Sequence, residues 1–232
     1  MAASRGTPLL ALLVVAAVLP GCGAAAGSGT SVPGLRGVPP DLVGLRAAAA
    51  HAYQHALARS ESAMFSDVDE LEQTWRRLRE RAELDRAPAD ALQQVDAATV
   101  ALRWALTDRD NGTAVARAAN GVSGATKGLI AFYRPSANLG AFKLEYLGRE
   151  LALDGLQADL ASAAQHAREL EATWSAVRPD VLDAGGRRQT EAFDASVGAV
   201  RQAIAAEDPR RLTWLAERGV ELAEQIKGVL DG

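Results

Sequence analysis

The chain has 232 residues, 48% apolar and 23% charged, an ordinary balance for a globular protein of one or two domains. Aromatic residues make up only 5% while alanine is abundant, which favours close-packed helices over sheets. A formal charge of −4 with both signs interspersed argues against nucleic acid as a partner.

The N-terminus carries Arg5, an apolar run from Leu9 to Leu19 and small residues after it. That run falls short of the roughly 20 apolar residues that span a bilayer, and its three-part form is that of a secretory signal. At its end Leu19-Pro20-Gly21-Cys22 resembles the lipobox of bacterial lipoproteins, with proline at −2 as a departure from the commonest pattern. The resemblance implies cleavage before Cys22, a diacylglyceryl thioether on it, and often an N-acyl chain, together enough for stable anchoring. Ala24-Ala25-Ala26 offers a competing cleavage site, which would discard Cys22 and release a soluble protein. Cys22 is the single cysteine, so no intramolecular disulfide can form. The Gly/Ala/Ser/Pro stretch that follows reads as a tether, which divides the chain into a signal (1–21), a lipid-anchored tether (22–40) and a body from Asp41.

Within the body, Leu71-Glu72-Gln73-Thr74-Trp75 returns as Leu170-Glu171-Ala172-Thr173-Trp174, an offset of 99 residues. At that offset the apolar stripe Phe142, Tyr146, Leu153, Leu156, Leu160, Ala163, Ala167, Leu170, Trp174, Val177 answers to Val43, Ala47, Leu57, Met64, Val68, Leu71, Trp75, Leu78. Steps of three and four residues, broken once at Arg149, mark a long buried helical seam. Downstream, Val95, Thr99, Leu102 and Leu106 answer to Phe193, Val197, Val200 and Ile204, and Asp96 to Asp194. Asp110-Asn111-Gly112 and Asp208-Pro209 then supply turn and N-cap chemistry before a third helical pattern in each half. The expected fold is all-α: about six helices in a bundle built from two tandem three-helix units, 41–134 and 135–232. Pro39-Pro40-Asp41 and Pro88 open helices, Arg178-Pro179 closes the fourth, and Ser66-Asp67 marks a kink in the first. Trp75 and Trp174 are assigned to the core.

Candidate chemistry is sparse. His51 and His55, four residues apart, share one face of the first helix within reach of one metal ion, and Glu61 and Met64 could join only if the helix bends. The same pair reads as a solvated couple on the polar face, because a metal requires a more complete ligand set. His166-x-x-Glu169 is similar to the H-x-x-E string of imelysin-like periplasmic proteins, without the glycine and tyrosine around it, and no function is carried over. Glu61 and Arg149 interrupt the seam and would form an inter-repeat ion pair if the long helices pack antiparallel. No phosphate loop, nucleophile elbow or Ser/His/Asp set can be assembled, so neither an enzyme nor a cofactor is expected.

The expectation is therefore an exported, membrane-anchored envelope lipoprotein facing the periplasm or cell exterior. It acts as a non-catalytic binding or structural protein toward an unknown protein or envelope partner, and touches the membrane through lipid on Cys22. The alternative is a periplasmic metal- or haem-binding bundle using His51 and His55.

Overall fold

A computed structural model describes residues 37–108 and 111–232, so Cys22, the leader and most of the tether lie outside the described residues. The described residues fold as nine helical segments with no strand. They run α1 (Pro40–Leu57), α2 (Glu61–Leu84), α3 (Ala89–Ala105), α4 (Gly112–Ala125), α5 (Lys127–Tyr133), α6 (Leu139–Gln157), α7 (Leu160–Asp183), α8 (Arg187–Ala205) and α9 (Pro209–Asp231). Only Thr126, itself in helical geometry, separates α4 from α5, so the two act as one interrupted helix. Each half thus carries four helices rather than the expected three.

The extra helix comes from breaking the long first helix of each half. Arg59 (φ 53°) and Ala158 (φ 54°) adopt left-handed backbone at matching places, and each break is closed by a six-to-one hydrogen bond. Ser60 N–H donates to the His55 carbonyl at 3.0 Å, and Asp159 N–H to the Asp154 carbonyl at 2.9 Å. Neither break carries a glycine or proline, so the apolar stripe runs across it without a signal. The kink expected at Ser66-Asp67 falls inside continuous α2. The same closure recurs at Arg86 and Gly185, again at matching places, where Ala87 N–H meets the Ala82 carbonyl and Gly186 N–H the Val181 carbonyl, both at 2.8 Å.

Other signals act as read. Pro40 stands in the first turn of α1, and Asp208 caps α9 by accepting from Arg211 N–H at 3.0 Å. Asn111 caps α4 likewise through Ala114 N–H. Pro179 does not end its helix: α7 continues to Asp183, and Pro179 lies on its exposed face.

The buried side chains form two clusters. The first gathers Leu45, Val68, Leu71, Leu78, Val95, Leu102 and Leu129 from α1 to α5, and the second Leu144, Leu151, Val177, Phe193, Leu212 and Ile226 from α6 to α9. Leu153 of α6 enters the first cluster, joining the halves. Both Trp75 and Trp174 are 4% exposed, as expected of core residues, whereas Val43 and Leu156 of the expected stripe face out. In α1 the buried row is Leu42, Leu45, Ala49, Ala52 and Ala56, one residue away from Val43.

Helix α6 occupies the centre, against α4, α5, α7 and α9. Eleven consecutive residues, Glu145 to Gly155, include only one that is not buried, Tyr146. Close approach to α9 requires glycine: a Cβ on Gly148 would stand 2.8 Å from Val220, and one on Gly155 2.8 Å from the Pro209 carbonyl oxygen. A helix buried all round has no polar face to spare, so its charged residues must find partners inside.

Candidate functional site

Those partners form two connected polar clusters on α6. In the first, the buried Glu145 carboxylate receives Arg149 at 2.7 Å, Arg46 of α1 at 3.2 Å, and Lys227 of α9. Burial alone would push the Glu145 carboxyl up, but Arg149, Lys227 and Arg46 outweigh it and hold it below the usual carboxylate range. Arg46 and Lys227 also stand over the Phe142 ring, 4.5 and 5.4 Å from its centroid, and Arg149 over Tyr53 at 5.4 Å. The Tyr53 hydroxyl is raised to about 12, chiefly by burial.

In the second cluster, Arg117 of α4 bridges Glu150, Asp154 (3.0 Å) and Gln157 (3.0 Å), while buried Asn120 donates to Glu150 at 2.8 Å and to the Tyr146 carbonyl at 3.1 Å. Asp154, fully buried, also accepts from His166 Nδ1 at 2.6 Å. That bond is the main reason the imidazole is raised above the usual histidine value. Across the molecule His55 Nδ1 lies 2.5 Å from Asp67 Oδ2. His55 answers Asp154 and Asp67 answers His166 in the repeat alignment, so both halves close the same helix junction with a His–Asp pair in opposite order.

A third repeated element surrounds the tryptophans. Trp75 Nε1 donates to Asp96 at 2.8 Å and Trp174 Nε1 to Asp194 at 2.7 Å, with Arg79 and Arg178 on the same carboxylates. The tandem motif is thus a core anchor tied to the third helix of each set, not an open stacking surface.

Beside the first polar cluster lies a cavity of about 480 Å³, lined from α1, α3, α4, α5 and α6. Its walls include Ala97, Gly121, Gly124, Ala125, Phe142 and Tyr146, and its charged lining residues are Arg46, Lys127 and Lys143, with no carboxylate. Gly124 lets the Tyr146 ring form this wall, since a Cβ there would sit 3.1 Å from the ring. Ser123 also lines the cavity; it is 8% exposed, and its buried hydroxyl has no hydrogen-bond partner. Burial lowers the Arg46 guanidinium from its ordinary value despite Glu145.

The residues singled out from sequence are dispersed. His51 is exposed, its ring 6.5 Å from that of His55, and His55 turns instead to Asp67. Met64 is buried in the first core and Glu61 stands exposed in the first turn of α2. Among the described residues no group of three or more His, Cys, Asp or Glu side chains is placed to hold a metal ion. Arg149 finds its ion pair one turn away at Glu145 rather than at Glu61. Glu145, Glu150 and Asp154 were not singled out from sequence: Glu145 and Asp154 lie on opposite sides of α6, so no single apolar stripe marks them. The cavity had no sequence signal beyond its lysines. No described helix is long and apolar enough to cross a membrane. No protein-family model matches the chain, and neither a curated protein nor a solved structure matches it.

Proposed function

We propose that the chain is an exported bacterial envelope lipoprotein, anchored through Cys22, whose helical body is a non-catalytic binding protein. The observation that carries the binding part is the cavity beside α6. Its volume is in the range of small-molecule sites, and it combines aromatic and apolar walls with a few polar groups from five helices. The titratable clusters support a structural rather than a catalytic reading, because each buried carboxylate of α6 is held by at least one cationic partner. The finer architecture we read as two tandem, related units, α1 to α5 and α6 to α9, on the strength of the repeated breaks, Trp–Asp–Arg sets and His–Asp pairs.

Intact-mass analysis of the protein extracted from its own membranes tests both parts. The expected result is a lipid-modified N-terminus at Cys22 and a co-purifying small molecule that is absent from the Gly121→Leu variant. An unmodified chain beginning at Gly27 overturns the anchoring; a lipidated protein with no bound molecule in either form overturns the cavity as the binding site.

A further inference from the structure

We propose that the cavity is a site for an amphipathic organic anion: a single carboxylate, phosphate or sulfonate head on an apolar body. This deepens the binding reading above and rests on it. The sign of the ligand follows from the charges around the cavity. Arg46, Lys127 and Lys143 line it without an acidic neighbour in the lining, and over its Phe142 wall Arg46 and Lys227 share one carboxylate, Glu145. Arg46 and Lys227, each with 19% side-chain exposure, outnumber the one carboxylate they share, and there each charge acts further than in water; Lys127 and Lys143 are the more exposed cations of the lining.

All three lysines of the chain, Lys127, Lys143 and Lys227, fall at the cavity or on its Phe142 wall, although the chain otherwise draws its cations from arginine. Lys143 is held only loosely by Glu169, at 3.6 Å between side chains that are each more than 40% exposed, so it is available to another anion. Ser123 lines the cavity, but its hydroxyl oxygen is itself buried, so the anionic head is left to the cations of the lining.

An inorganic anion would leave most of the lining unused, since the Phe142 and Tyr146 rings and the alanines beside them offer apolar area to an organic body. A polyanion such as nucleic acid is disfavoured by the net charge of −4. The ligand is thus an amphiphile with one anionic end, taken either from free solution or from the anionic lipid of the membrane to which the chain is tethered.

The test uses the full chain carrying Cys22→Ala, so that no detergent is needed. Two dyes share an anilino-naphthalene body, 1-anilinonaphthalene-8-sulfonate with the anion and N-phenyl-1-naphthylamine without it. The sulfonate is expected to bind with a stoichiometry near one and the neutral dye about tenfold or more weaker, a factor that charge contacts in a partly dry site supply. Lys127→Glu with Lys143→Glu should weaken the sulfonate alone. Gly121→Leu should abolish binding of both dyes without lowering the unfolding midpoint, because a Cβ at Gly121 meets nothing within 4 Å. Equal binding of the two dyes, or sulfonate binding indifferent to these variants, overturns the proposal.

Decanoate in solution and phosphatidylglycerol vesicles then serve as competitors. Displacement by decanoate marks a free amphiphile and displacement by vesicles a membrane lipid; displacement by neither overturns the assignment. A neutral molecule co-purifying in the cavity would leave the binding reading standing and sink the anion, so the two failures are distinguishable.

Discussion

Helices α1 and α6 align at the 99-residue offset of the tryptophan motifs, yet α1 buries one face and α6 nearly all of its circumference. The matching residues show what that difference in environment demands. Exposed Gln54 of α1 corresponds to Leu153, which reaches into the other half's core, and His55 to the fully buried Asp154. A helix that becomes central needs partners for every polar group it keeps, and α6 obtains them from α1, α4, α7 and α9. The polar cluster and the cavity beside it are products of joining two sets of helices, present in neither set alone.

The largest expected effects test what the halves share. Trp174→Ala and Trp75→Ala each remove a core indole and its hydrogen bond to an aspartate, at a cost of roughly 3 to 5 kcal/mol. Trp174 also packs on Phe193, centroids 4.6 Å apart, which places its loss at the upper end. Unfolding in urea measures both; an unchanged midpoint for either would end the claim that the repeated motif is a core anchor.

The His–Asp pairs test what differs. Asp154→Ala strips Arg117 and His166 of a fully buried carboxylate, and removing one partner of a buried ionic group costs about 3 to 5 kcal/mol. Asp67→Ala should cost less, about 1 to 2 kcal/mol, because its partner His55 retains 40% side-chain exposure and can turn to water. Equal losses would mean that the central position of α6 does not govern the energetics.

The same contrast has a pH signature. His166 is raised above its ordinary value by its hydrogen bond to Asp154, so its charged form is favoured in the folded state. The stability it adds is full below the unfolded histidine value near 6.5 and is lost as pH rises through the higher folded value. Denaturation midpoints at pH 6 and pH 8 should therefore differ more for the parent chain than for His166→Gln. An identical difference in both would remove His166 as the source.

Much of this organisation is legible in the sequence. The offset of 99 residues between the tryptophan motifs locates both core anchors, the aspartates that bind them and the caps at Asn111 and Asp208. What stays hidden is local conformation without a local signal. Arg59 and Ala158 carry left-handed backbone where no glycine marks it, so two helices read as one. The polar seam was hidden for another reason: Glu145 and Asp154 look like surface residues of an amphipathic helix until α6 is known to be buried on nearly every side from Glu145 to Gly155. A cavity arises from where five helices fail to fill space, and no spacing along one helix encodes that.

The smallest expected effect divides the pair His51 and His55. Both lie on α1 one turn apart, but only His55 has a carboxylate partner, and His51 is exposed. His51→Ala should change stability by no more than about 0.5 kcal/mol, since it removes only a distant ring contact to His55 and places a better helix former at an exposed site. His55→Ala leaves the mostly buried Asp67 carboxylate without its imidazole, a loss of about 1 to 2 kcal/mol. A metal-binding pair behaves differently: zinc or nickel raises the unfolding midpoint of the parent chain, and either alanine abolishes the shift. Thermal unfolding of the three proteins with and without added metal separates these outcomes. Unequal variants with no metal-dependent shift are the expected result, because His55 already spends its Nδ1 on Asp67 and no third ligand stands near it among the described residues.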